Sequence, residues 1–240
     1  MSPPSCTLAE NLALIRERMA AACARAGRPL ESVELLAVSK FQSPEKVSAA
    51  AGLGLTLFGE NRVQEAKAKI PQCPSRLQWH LLGHLQSNKA RDAVGLFSLI
   101  HSVDSLALAQ ELQKQAEKQS RKVPILLEVN IAGEASKFGW TPQQVLTELA
   151  TVKAASRMEL HGLMTIAPYA IHPEKVRPIF RQLRELRDQC ADRLGAPLPV
   201  LSMGMSGDFE VAIEEGATLI RVGTALFGER SRILPTNEAA

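Results

Sequence analysis

No run of five or six like charges interrupts this 240-residue chain, and its formal net charge is only +3. A basic strip able to neutralise a phosphate backbone is therefore missing, and nucleic acid is not an expected partner. No apolar stretch approaches the roughly 18 residues that a membrane span requires. The first ten residues carry no basic patch ahead of an apolar segment, so no secretory leader is expected and the chain reads as cytoplasmic and soluble. Cysteine is scarce. Cys6, Cys23, Cys73 and Cys190 stand far apart, none in a Cys-x-x-Cys pair or beside a histidine at zinc-like spacing, so free thiols and no metal site are expected. Tyr169 is the only tyrosine. Also absent are a Walker A motif, a Gly-x-Gly-x-x-Gly turn after a strand, a His-Glu-x-x-His pair and a nucleophile elbow. With no Pro/Gly/Ser linker, residues 1–240 read as one domain with its core over about 30–230, and the short charged tail after Gly228 is expected to fray.

What is present is alternation. Leu8, Leu12, Ile15, Met19 and Cys23 mark an amphipathic helix over 8–26 that Gly27 and Pro29 stop. Short apolar runs then predict strands at Leu35–Ser39, Leu57–Glu60, Trp79–Leu85, Leu99–Val103, Ile125–Ile131, Leu160–Ile166, Val200–Met205 and Thr218–Val222. Helical segments separate them: Ser43-Pro44 and Thr141-Pro142 each place proline behind a hydroxyl cap, and Ser105–Ser120 and Pro173–Leu194 show helical composition or striping. Eight strands alternating with helices in 240 residues predict a single (β/α)8 barrel with an extra N-terminal helix. A doubly wound open sheet is the alternative, because periodicity does not report closure.

Barrel enzymes carry their chemistry at the C-terminal ends of the strands, and several conspicuous residues fall there. Lys40 closes Glu34-Leu35-Leu36-Ala37-Val38-Ser39-Lys40, in phase with Leu36 and Val38, which aims it towards the same side as core residues. Two turns open helices nearby: Ser206-Gly207-Asp208 and Gly223-Thr224. Backbone N–H groups and hydroxyls in such turns suit a phosphate, although ordinary helix caps read the same way and Asp208 fits a cap. An amine that forms an imine and a phosphate cradle together suit one cofactor, pyridoxal 5'-phosphate. Arg221, inside Leu219-Ile220-Arg221-Val222, reads either as a buried ion-pair partner or as a hydrogen bond to the pyridine nitrogen. Asn61 either positions the cofactor ring or caps the following helix. His80 and His84 share strand parity without a carboxylate nearby in the sequence, and read as packing or hydrogen-bonding groups. Lys89 is a second amine near the rim.

Ala37-Val38-Ser39-Lys40, Gly59-Glu60-Asn61, Trp79-His80 through Gly83, Leu85-Gln86-Ser87-Asn88-Lys89, Gly162-Leu163-Met164-Thr165-Ile166, Leu201 to Ser206 with Asp208, and Arg221-Val222-Gly223-Thr224 with Phe227-Gly228 resemble, in order, the pyridoxal phosphate homeostasis protein family. The resemblance runs from about Leu36 to Gly228. It implies a monomeric barrel similar to the N-terminal domain of alanine racemase, with the cofactor as a Schiff base on Lys40. It further implies that Ser206, Gly207, Gly223 and Thr224 hold the phosphate, that Arg221 meets the pyridine nitrogen, and that Asn61 lies beside the ring. The family often has a second lysine where this chain has Gln42, so a transfer amine is sought at Lys89 or Lys137.

The expected function is non-enzymatic: storing, buffering or handing over pyridoxal phosphate, with apo forms of enzymes that use it as recipients. The alternative is an amino-acid racemase of the alanine type. Racemisation needs a base on each cofactor face. Lys40 supplies one, only Tyr169 is available for the other, and no partner-donated β-domain is expected after the eighth strand. A sugar-phosphate barrel enzyme, with Glu60 and Glu128 as its strand-end carboxylates, is a third reading.

Overall fold

The computed structural model describes residues 7–228; Cys6 and the tail beyond Gly228 lie outside them. Eight parallel strands close into a barrel in sequential order. They are β1 (Glu34–Val38), β2 (Leu57–Glu60), β3 (Gln78–Leu81), β4 (Leu99–Val103), β5 (Val123–Glu128), β6 (Met158–Met164), β7 (Val200–Ser202) and β8 (Leu219–Val222). Closure rests on β1 pairing with β8, where Leu36 lies beside Arg221 and Ala37 beside Val222. That pairing excludes the open-sheet alternative. Before the barrel comes α1 (Leu8–Arg25). Outside it run α2 (Pro44–Gly52), α3 (Val63–Lys69), α4 (Ala90–Leu96), α5 (Leu106–Lys118), α6 (Pro142–Lys153), α7 (Arg177–Leu194), α8 (Phe209–Glu214) and α9 (Thr224–Phe227).

Local chemistry sets the helix starts. Thr7 and Glu10 form a reciprocal capping box on α1, with Glu10 N donating to Thr7 Oγ1 and Thr7 N to the Glu10 carboxylate. Ser43 and Thr141 cap α2 and α6 just ahead of Pro44 and Pro142. The stretch 173–194 divides: a 3-10 turn over Pro173–Val176 leads into α7, because Pro178 is tolerated only in a first helical turn. Helix α1 buries Leu12, Ile15 and Met19 against the barrel's helical shell, each contributing about 1.5–3 kcal/mol. It is pinned by Arg18–Glu210 at 3.1 Å and by Asn11 Nδ2 donating to Leu226 O.

Alternation along the strands separates two cores. Outward residues such as Ala37, Phe58, Trp79, Ile125, Leu163 and Ile220 pack under the helices. Inward residues form two small apolar groups, Leu36, Val38, Leu82 and Leu219, and Leu99, Leu126 and Met164. The remaining inward volume is polar, holding His80, His101, Ser202 and Arg221, all buried. Strands β2 and β4 match their sequence-derived bounds, whereas β3, β5, β6 and β7 end two to four residues earlier than hydrophobicity suggests. Leu82, Leu85, Val129, Ala167 and Met203 are buried without belonging to strands. Apolar runs report burial, and burial continues past the last ladder bond into the loops over the barrel.

Candidate functional site at the barrel mouth

A cleft of about 250 Å³ opens at the C-terminal end of the barrel. Lys40, Asn61, Ser206, Gly207, Arg221, Gly223 and Thr224 all line it, over an apolar floor that includes Val38 and Leu82. Register explains the convergence. Val38 pairs with Gly59 and Ala37 with Val222, so the residues just past β1, β2 and β8 emerge side by side. Two turns form one wall. Asp208 Oδ1 accepts from Met205 N at 2.6 Å and closes the turn that carries Ser206 and Gly207. Ser206 Oγ accepts from Ala225 N at 3.3 Å, tying that turn to the one after β8. Gly204 enters this wall with φ +90, a left-handed geometry, and an added Cβ would lie 2.6 Å from that of Ala212. Across the cleft, Gly83 packs so closely on Asn61 that a Cβ would stand 2.3 Å from the Asn61 carbonyl oxygen.

The backbone on either side of Lys40 is anchored from below. Lys69, itself buried, donates to Ser39 O at 2.8 Å, Glu60 Oε1 at 2.8 Å and Glu65 Oε1 at 2.9 Å. Ser39 Oγ donates to Glu60 Oε1, and Phe41 N donates to Glu65 Oε1. Phe41 has φ 63, a conformation that costs a bulky residue energy and that this bond holds. Glu60 Oε2 has no hydrogen-bond partner. Burial pushes the Glu60 carboxyl above its ordinary range, against the bonds from Lys69 and Ser39 that pull it down.

A second buried network fixes Arg221. Its guanidinium donates to Ser202 Oγ at 2.6 Å and Thr165 O at 2.8 Å, using two of its five donors. Ser202 Oγ contacts His101 Nδ1 at 3.0 Å, and His101 Nε2 contacts His80 Nδ1 at 3.0 Å. Arginine only donates, so Ser202 Oγ accepts from Arg221 and still has a hydroxyl hydrogen and a second lone pair to offer His101 Nδ1; the tautomers of His101 and His80 are therefore set together along one chain. Both imidazoles are neutral at pH 7. Burial pushes His80 down to about 4, and burial with the neighbouring His80 and Arg221 charges pushes His101 well below the usual range. Burial lowers Arg221 to about 10, opposed by Asp208 and Glu128, so it stays cationic. Burial and the Asp104 charge raise Glu128 to about 7, against the pull of Arg221.

Comparison with known proteins identifies relatives of the chain. The family model for the N-terminal domain of alanine racemase matches residues 9–231. A pyridoxal phosphate homeostasis protein of Aquifex aeolicus is 46% identical over 222 residues, covering 92% of this chain and 97% of the relative. The chain belongs to the pyridoxal phosphate homeostasis protein family. Among solved structures, PipY of Synechococcus elongatus PCC7942 is 42% identical and covers 89% of this chain and all of its own. It matches without pyridoxal phosphate at a TM-score of 0.81 and with it bound at 0.78.

Within this family member, some residues lie differently from their sequence reading. Asp208 occupies the cap position of α8, yet its carboxylate serves Met205 rather than the helix. Arg221 makes no ion pair among the described residues, so of its two readings the buried ion pair does not occur. His84 has a carboxylate partner after all, Asp104 at 2.8 Å, and stacks on Phe138; no three metal-ligating side chains converge among the described residues. Tyr169 is 94% exposed and stands outside the cleft. Neither Glu60 nor Glu128 lines the cleft, which leaves the sugar-phosphate reading without its acid pair. Lys137 pairs with Glu134 and reaches Ile166 O at 3.4 Å, next to the cleft wall. Sequence reading missed Lys69, Glu65, Ser202 and His101 as supports. The signal was a polar residue at an inward position of an apolar strand for Ser202 and His101, and an i,i+4 acid–base pair for Glu65 and Lys69.

No helix among the described residues is long and apolar enough to cross a membrane.

Proposed function

We propose that this chain is a cytoplasmic, monomeric, single-domain protein of pyridoxal phosphate homeostasis, holding the cofactor in the mouth cleft and storing, buffering or delivering it. Lys40 attaches the aldehyde as an imine. Ser206, Gly207, Gly223 and Thr224 bind the phosphate, Asn61 lies beside the ring, and Arg221 donates to the pyridine nitrogen. The observation that carries this reading is the meeting of one strand-end amine, two linked hydroxyl-bearing turns and a cation in a single cleft. Bound there, the cofactor supplies an electrophilic carbon and an electron-withdrawing ring. This chain's residues restrain that chemistry. Arg221, cationic and held by Ser202 and Thr165, offers a proton donor that does not give its proton away, so the ring nitrogen stays unprotonated and the ring draws electrons less strongly.

Amino acids are accordingly not turned over. A racemase needs a second base facing Lys40, and the only tyrosine in the sequence stands in solvent. Recipients are apo forms of enzymes that use the cofactor, with Lys89 or Lys137 as the amine that assists release. The deciding measurement is the absorbance of the purified protein. A visible band is expected that borohydride bleaches, with mass spectrometry placing the reduced adduct on Lys40. An adduct on another lysine would remove Lys40 from its role. Deuterium exchange at Cα of L-alanine at an enzyme-like ~1 s⁻¹ or faster would restore the racemase reading.

A further inference from the structure

Beside the mouth cleft lies a second cavity of about 250 Å³, between the start of α3 and the loop after β3. Asn61 belongs to both walls. The second cavity is otherwise set by Arg62, Gln64, His84, Gln86 and Lys89, and no carboxylate lines it. The acids of the neighbouring elements are already paired, Asp104 with His84 of the cavity wall and the others with lysines outside it. Glu60 and Glu65 bind Lys69, Asp92 binds Lys67 at 3.0 Å, and Asp104 holds His84 Nδ1. Arg62 and Lys89 make no ion pair with any described residue, so two cations face one concavity without a counter-charge.

The geometry points to this cavity as an anion site for the dianionic phosphate of a small phosphate ester. A guanidinium fork matches two phosphate oxygens, an ammonium adds a point charge, and the amide groups of Asn61, Gln64 and Gln86 add neutral donors. Two unopposed positive charges favour a dianion over a carboxylate by simple Coulomb attraction. His84 on one wall is held by Asp104 at 2.8 Å and stacks on Phe138 at 3.7 Å. Because Asn61 is shared, an occupant lies directly beside whatever the mouth cleft holds. The site does not depend on Lys40 carrying a cofactor.

Titration of the purified full chain with inorganic phosphate, followed by calorimetry and by phosphorus NMR line width, tests this. Wild type is compared with Arg62→Gln/Lys89→Gln and with Ser206→Ala/Thr224→Ala. The first pair is expected to lose one binding component, its affinity falling at least about tenfold. The second pair is expected to keep that component. Arg62→Gln alone, at an exposed position, serves if the double variant melts early. Unchanged isotherms in the Arg62→Gln/Lys89→Gln chain, loss of the same component in the Ser206→Ala/Thr224→Ala chain, or acetate binding as tightly as phosphate would each overturn the assignment.

Discussion

The two ends of the barrel carry cavities that differ less in size than in where their polar groups come from. At the N-terminal end, α1 and the starts of β1 and β2 enclose about 320 Å³, lined by Met19, Leu30, Val33, Leu55 and Leu57 together with Arg16, Glu34 and Thr56. At the C-terminal end, the smaller space of about 250 Å³ gathers Lys40, Asn61, Ser206, Arg221 and Thr224 from four strand ends. Volume does not distinguish a site here; convergence of polar groups from separate elements does. Parallel strands produce the asymmetry, because every strand delivers its C-terminal residues to the same rim while the opposite rim receives the helix-to-strand returns.

Lys40→Ala breaks this comparison most directly. It is expected to abolish the visible absorbance band and the borohydride adduct, whereas Leu55→Ala at the opposite end leaves band intensity per mole of protein unchanged. The latter still costs about 2–5 kcal/mol of stability, since it empties buried volume. Equal loss of the band in both variants would mean that the ends are not functionally distinct.

Next in size is Lys69→Met. It leaves the buried Glu60 without its cation, at a cost of about 3–5 kcal/mol in urea unfolding, and it releases the Ser39 carbonyl behind Lys40. Cofactor retention should fall as well, which an equally destabilising Leu55→Ala should not cause. Retention that follows stability alone in both variants would reduce the network to plain scaffolding.

Ser206→Ala and Thr224→Ala probe the wall of the mouth. Each is expected to weaken cofactor retention roughly ten- to a hundredfold, the effect of one hydrogen bond to a charged group at about 1.5–3 kcal/mol. Equilibrium dialysis reads this, and unchanged retention in both would leave the two turns as helix caps only.

The smallest effect sharpens the electrostatics of the barrel interior. Glu128 has its folded pKa raised to about 7 from 4.5, so the native state holds its proton longer than the unfolded chain. Between pH 4.5 and 7 this costs stability as pH rises, and the cost is complete above pH 7. The depressed His80, at about 4 against 6.5, acts in the opposite sense, with stability lost as pH falls from 6.5 to 4. Glu128→Gln should therefore gain at most about 3 kcal/mol above pH 7, gain nothing below pH 4.5, and show a steeper acid loss than wild type. Urea midpoints from pH 4.5 to 8 test the profile.

The fold was largely legible because strand parity and helix spacing are local. Eight apolar runs, the capped starts at Thr141 and Ser43, and the α1 stripe all carry their signal within a few residues. The site was legible in part for the same reason: Lys40 keeps the phase of Leu36 and Val38, and the Gly-Ser and Gly-Thr turns follow apolar strands. The supports were less so. Lys69 meets Ser39 across 30 positions and His101 meets Ser202 across 101, and separations of that kind leave no periodic trace.

The sequence alone thus determined which residues alternate, where the chain turns, and that one amine and two hydroxyl-bearing turns end their strands at a common edge. Tertiary structure decided the rest. Closure of β1 on β8 is a long-range pairing, and without it Lys40 and Arg221 would lie at opposite edges of a sheet. Arg221 meets Ser202 on the adjacent β7, and closure buries that pair and brings His101 of β4 onto Ser202 from across the interior. There, burial raises the cost of every unpaired polar group, so these inward-facing groups bond to one another.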